Sequence, residues 1–130
     1  MERDEQAIRR LVAAWHEATA KGDVPAILRL MDEDVVFLVP GRPPLRGRHD
    51  FEQGLRALLQ HHRIDSRSEI QEVRVCGDWA YCWSNLSVTV TPLGPGVPSR
   101  RAGPVLTILR RQPDGAWVVV RDANMLAAEP

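Results

Sequence analysis

Over residues 4–21 the apolar side chains fall at helical spacing. Ile8, Leu11, Val12, Trp15 and Thr19 follow one helix face. Glu5 and Arg9, one turn apart, support the helix from the solvent side. Gly22 supplies a stop. Asp23 can then N-cap a short second helix, with Pro25 in its first turn and Ile27, Leu28, Leu30 and Met31 on its apolar face. Asp32-Glu33-Asp34 ends it. Val35–Val39 is a short apolar run that predicts a buried strand, and residues 40–44, rich in Pro, predict a loop. A third helix follows over roughly 48–62, with Phe51, Leu55, Leu58 and Leu59 on one side. Gly54 inside it predicts close packing at that point.

From Ser66 onward the pattern is that of strands. Ser66–Val75 changes parity between Ile70 and Val73, which predicts a bulge and a bend. Cys76-Gly77-Asp78 turns the chain into the long strand Trp79–Thr91, and residues 92–98 form a loop. Gly103–Leu109 and Ala116–Met125 are two further strands about the turn Pro113-Asp114-Gly115. Helices first and strands last predict an α+β fold: three N-terminal helices packed on a curved antiparallel sheet, forming a cone. A pocket is expected between its concave face and the first helix. The length, 130 residues, fits one domain over 1–130.

Charge narrows the partners. The chain carries 17 basic and 17 acidic residues and a net charge of +0, so neither nucleic acid nor an anionic membrane is an expected partner. Every basic residue but Lys21 is Arg, which with 10 Pro suggests a GC-rich, bacterial genome. The N-terminus is charged where a signal peptide would be apolar, no apolar run reaches membrane-spanning length, and a cytoplasmic location is expected. Cys76 and Cys82 are expected to be free, mostly buried thiols.

The sharpest candidate chemistry lies at the end of the last strand. Val118, Val120, Asp122 and Asn124 alternate onto one face, so a carboxylate and an amide point the same way from an apolar strand. A carboxyl in an apolar pocket has a raised pKa and can shuttle a proton near neutrality, so Asp122 is the candidate acid/base. Asn124 could orient a carbonyl oxygen. Trp15 could give a flat wall and one N–H donor, and otherwise belongs to the core. Phe37 on the first strand is a further candidate lining residue. So is His49, between the Pro-rich loop and the third helix, unless it is simply a polar helix start. His16 is expected on the solvent or subunit side.

His16, His49, His61 and His62 form no metal-binding pattern, so no metal is expected, and no dinucleotide motif calls for a cofactor. Arg100-Arg101 and Arg110-Arg111 are expected near one another as a solvated edge or an anion clamp. On the long strand, Tyr81 and Trp83 share one face while Ala80, Cys82, Leu86, Val88 and Val90 share the other. Buriable residues on both faces predict a homodimer through the convex side.

Together these residues resemble a known family. Trp15 with Ala20-Lys21-Gly22-Asp23, the run Leu30–Phe37, Leu45-Arg46-Gly47, and Asp114-Gly115-Ala116-Trp117 leading into Val120–Asn124 are similar to the SnoaL-like proteins of the nuclear-transport-factor-2-like superfamily, the SgcJ/EcaC group in particular. The resemblance implies a cystatin-like α+β domain with a ligand pocket. It does not imply one activity, since the superfamily holds isomerases, cyclases, dehydratases and non-catalytic modules. Ketosteroid isomerase has a Tyr donor where Trp15 stands, a base where Leu38 stands, and an acid on the strand that here reads Val105–Leu109. SnoaL-type cyclases use an Asp deeper in the pocket, for which Asp122 is the candidate. The expectation is a small-molecule pocket protein of bacterial secondary metabolism, a cofactor-independent proton-transfer enzyme on an apolar carbonyl compound. The alternative is a non-catalytic ligand-binding protein or dimerisation module.

Overall fold

The computed structural model describes residues 2–129. Helix α1 spans Glu2–Lys21. It stops at Gly22, whose φ of 68° is in the left-handed region, and the Asp23 N–H caps back onto the Ala18 carbonyl at 2.9 Å. Asp23 accepts from the Ala26 N–H at 3.2 Å and starts α2, Val24–Leu28. Strand β1 is Met31–Leu38, β2 is Leu45–Arg46, and α3 is Gly47–Leu59. The chain then builds β3 (His62–Cys76), β4 (Trp79–Pro92), β5 (Ser99–Arg111), β6 (Trp117–Asn124) and β7 (Ala127–Ala128).

The three helices lie against one curved, unclosed sheet of seven strands in the order β2-β1-β6-β5-β4-β3, with β7 pairing β5. The α+β cone is therefore as expected, with one correction to the sheet: β1 pairs β6 in parallel, while every other neighbour is antiparallel. No hairpin joins β1 to β6. The intervening chain returns to the same edge, and that permits the parallel direction.

A second correction concerns Met31–Asp34, which belong to β1 and not to the end of α2. Their neighbours hold them there. The Val119 N–H donates to the Leu30 carbonyl at 2.9 Å, and the Arg48 guanidinium donates twice to the Met31 carbonyl. From Met31 to Val36, β1 advances five residues while β6 advances two, Val119 to Arg121. The acidic run occupies that irregular stretch, where Asp32 pairs with Arg110.

Two bulges bend the sheet. One lies on β3 between Ile70 and Glu72, as the parity change predicts. The other lies on β6. Leu109 faces Val119 and Ile108 faces Arg121, so Val120 is the extra residue. The expected alternation is corrected accordingly. Trp117 and Val119, not Val118 and Val120, join the core that α1 covers, and Asp122 takes up the same face beyond the bulge. That core is built on Ile8, Leu11, Ile27, Met31, Val35 and Leu109.

The arginine pairs are also corrected: they stand at opposite ends of β5. Arg111 bonds Asp4 and Asp78 and lies 5.2 Å from the Trp117 ring centre, tying the start of α1 to the β3–β4 hairpin. Arg100 lies near Glu129 and bonds Ser87. Cys76 is exposed and Cys82 buried, both free. Gly54 is not closely packed: it is exposed, and a Cβ there would meet nothing within 4 Å.

Two glycines give opposite predictions. Gly54→Ala should stabilise the protein by about 0.5–1 kcal/mol, the usual gain for Ala over Gly in a helix interior. Gly103 faces the link between β6 and β7 so closely that a Cβ would lie 2.3 Å from the Met125 carbonyl oxygen. Gly103→Ala should therefore destabilise by about 1–3 kcal/mol, the scale of overpacking. Urea melts of the two variants check both signs.

Candidate functional site

The concave face of β3–β6 and the inner side of α1 and α3 enclose a cavity of about 210 Å³. It is small beside the ~300–1,000 Å³ of pockets for drug-sized ligands. Helix α1 contributes Val12, Trp15, His16 and Thr19, and α3 contributes Phe51 and Leu55. These α1 positions recur at helical spacing, which is why one stripe of the helix forms a wall. From the sheet come residues two apart on their strands, such as Ser66 and Ser68 on β3 and Cys82, Ser84 and Leu86 on β4.

Asp122 closes the deep end. It sits in register between Phe37 on β1 and Thr107 on β5, and Cys82 follows Thr107 on β4. It is 6% exposed. The Thr107 hydroxyl donates to Asp122 Oδ1 at 2.6 Å. Oδ2 has no protein partner among the described residues. Yet no fully buried side-chain nitrogen or oxygen lacks one there, so Oδ2 is open to the cavity. Burial pushes the Asp122 carboxyl up to about 7, and the Thr107 hydrogen bond offsets part of that rise. A group poised near neutrality can both give and take a proton. Burial likewise pushes the neighbouring Cys82 thiol up, which keeps it protonated and a poor nucleophile.

Trp15 lines the cavity and packs edge-on against Phe37, with ring centres 6.1 Å apart. Phe37 stacks on Phe51 at 4.6 Å and lies in the core behind the lining. Asn124 is outside the lining. Its Oδ1 accepts from the Leu126 N–H at 3.2 Å, a local turn that steers the chain toward β7. His49 is exposed on the first turn of α3, away from the cavity. Leu38 is exposed at the end of β1.

His16 is corrected from a solvent or subunit position to a half-buried wall residue. Its Nε2 lies 2.7 Å from Ser68 Oγ, and burial lowers its pKa, favouring the neutral ring. A signal for it was present: Val12, His16 and Thr19 share one stripe of α1. The serines carry a weaker signal, since Ser66 and Ser68 alternate in phase with buried Ile64. Among the described residues, no three His, Cys, Asp or Glu cluster closely enough to hold a metal ion. No helix there is long and apolar enough to cross a membrane.

Helices backing a curved, bulged sheet over an inward cavity define the nuclear-transport-factor-2-like class of α+β cones. Within that class the chain belongs to the SnoaL-like domain family, whose pattern matches residues 12–120. A conserved protein from Planctomyces limnophilus is 35% identical, with a TM-score of 0.95 over 99% of this chain and 100% of that one. A ketosteroid isomerase-like protein from Erwinia carotovora atroseptica is 26% identical, with a TM-score of 0.79 over 96% of each chain. A nuclear transport factor 2-like superfamily protein from Salmonella enterica shares the fold at 14% identity, with a TM-score of 0.80 over 96% of this chain and 90% of that one. No curated protein matches the chain significantly.

The Asp122 carboxyl makes stability depend on pH. The native group holds its proton up to about pH 7, against 3.8 for an unperturbed carboxyl. The native state thus binds more protons over that interval, and stability falls as pH rises through it. Above it, keeping the buried charge costs roughly 4 kcal/mol. His16 acts with the opposite sign, since a lowered imidazole pKa favours folding at higher pH. Asp122→Asn removes only the first contribution. Urea melts from pH 5 to 8 should show the variant gaining on wild type as pH rises and exceeding it at pH 8. Parallel curves would contradict a buried, protonated Asp122.

Proposed function

We propose that the chain takes up a compact, mostly apolar molecule bearing a carbonyl and moves a proton on it, with Asp122 as the acid/base group. One observation carries this: the cavity is lined by a buried carboxyl poised near neutrality, with one oxygen held by Thr107 and the other open to a ligand. Protonated, Asp122 donates to a carbonyl oxygen; ionised, it removes a proton from the adjacent carbon. Trp15 gives the ligand a flat apolar wall. This chemistry requires no cofactor. The proposed setting is bacterial secondary metabolism, in keeping with the family resemblance.

A binding protein that carries or sequesters such a molecule is the second reading. It is favoured by Leu38 and by Val105–Leu109, which supply no carboxylate where the isomerase has its base and acid. Turnover separates the two. Asp122→Asn should lower the rate by roughly 10²–10⁴-fold, the scale of general acid–base help, while ligand affinity changes little. A rate equal to wild type removes Asp122 from catalysis, and wild type without turnover on any bound carbonyl compound leaves the carrier.

We also propose that a second copy covers the outer face of the sheet. Trp79, Tyr81 and Trp83 on β4 and Leu106 on β5 are 37–51% exposed there. Leu106 lies directly beside Trp83, so the patch is continuous across strands, and a two-fold contact buries it against itself. Sedimentation at micromolar concentration should give about twice the 14.6 kDa chain mass. Trp83→Glu should give the monomer. A monomeric wild type overturns the proposal.

A further inference from the structure

The cavity has a second polar end that the Asp122 chemistry does not use. Asp122 sits on β6 and Ser68 on β3, with β5 and β4 between them. They also differ in depth: Asp122 is in line with Cys82 on β4, and Ser68 pairs with Leu86, four residues further along. His16 lies over Ser68 from the α1 wall. Between the two ends the lining is mostly apolar, with Trp15, Phe51, Leu55, Leu86 and Val105 around the single buried hydroxyl of Ser84 on β4.

We propose that His16 and Ser68 form a second anchor matched to a hydroxyl, so that the ligand is a compact molecule with a carbonyl at one end and a hydroxyl at the other. This rests on the assignment of the carbonyl to Asp122. The chemistry of the pair selects a hydroxyl. A neutral imidazole has one donor and one acceptor nitrogen, and a serine hydroxyl both donates and accepts. Their mutual bond uses one donor and one acceptor. Whichever tautomer forms it, the pair keeps a donor and an acceptor to offer. A hydroxyl satisfies both at once, whereas a carbonyl leaves the pair's acceptor idle and an ammonium its donor. A carboxylate would bring a charge into a wall of neutral groups, which is costly without a cation. The arginines paired above, Arg110 and Arg111, lie outside this lining. An enclosed hydrogen-bonding pair discriminates strongly against a ligand that lacks the matching group, because its own polar atoms are then left unpaired.

Acetophenone and 4-hydroxyacetophenone test this, with affinities measured by calorimetry on the full chain. Wild type should bind the hydroxylated probe about tenfold more tightly, the effect of one good enclosed hydrogen bond. His16→Phe should abolish that preference, read as the ratio of the two affinities. His16→Gln, which keeps a donor and an acceptor, should retain part of the preference and so separates anchoring from mere packing. Asp122→Leu should weaken both probes alike and leave their ratio intact. Equal affinities in wild type, or a preference that survives His16→Phe, overturn the second anchor. If the His16 variants behave as stated but Asp122→Leu changes neither affinity, the anchor stands and the Asp122 assignment fails. If neither probe binds wild type, both fail.

Discussion

Everything in this molecule depends on the sheet bending over α1. A flat sheet would touch the helix along one line and leave its sides wet. The bulges at Ile70–Glu72 on β3 and at Val120 on β6 shorten one strand against its neighbour and increase the local twist. The curved face can then wrap the apolar stripe of α1 from both sides, and Ile8, Met31, Leu109 and Val119 become fully buried. The bend also makes the cavity. Where α1 and the sheet converge, large side chains fill the gap; further along, Ser66, Ser68 and Ser84 do not.

The β6 bulge turns a burial pattern into chemistry. Without Val120 as an extra residue, strict alternation from Val119 would place Arg121, not Asp122, on the concave face. A carboxyl so placed loses its hydration and gains only the Thr107 hydroxyl. Such a group stays near its neutral form, because one hydrogen bond does not replace bulk water around a charge. The carboxyl's unusual proton affinity thus follows from backbone register as much as from its own chemistry.

The sequence showed most of the fold because its signals are local. The α1 stripe, the Gly22-Asp23 junction and the β3 parity change each sit within a few residues. What stayed hidden depends on distant partners. The parallel β1–β6 pairing involves opposite ends of the chain. The acidic run after Met31 looks like the end of a helix until Arg110 and Arg48 are seen to hold it. Asp122 stands out as a candidate through an alternation that leaves its direction open and that the bulge at Val120 interrupts. Asn124 shares that direction in sequence, yet the kink toward β7 draws its side chain into a turn. His16 was misplaced because Trp15 beside it dominates the helix pattern, and both walls of the cavity must be in view before two adjacent helical residues can be seen to line it.

The parallel pairing of β1 with β6 has a consequence for how the chain is made. Synthesis proceeds from the N-terminus, and β1 emerges early with only the two-residue β2 to pair with. Its long neighbour is nearly the last element to appear. Until then the backbone edge of β1 stays open, a template for pairing with another chain. Closing such a long loop is slow compared with forming the hairpins β3–β4 and β4–β5. The register that sets Phe37 beside Asp122 is therefore completed only once the two ends of the chain meet. The acidic run Asp32-Glu33-Asp34 sits on that waiting strand, and its charge guards the exposed edge during the interval.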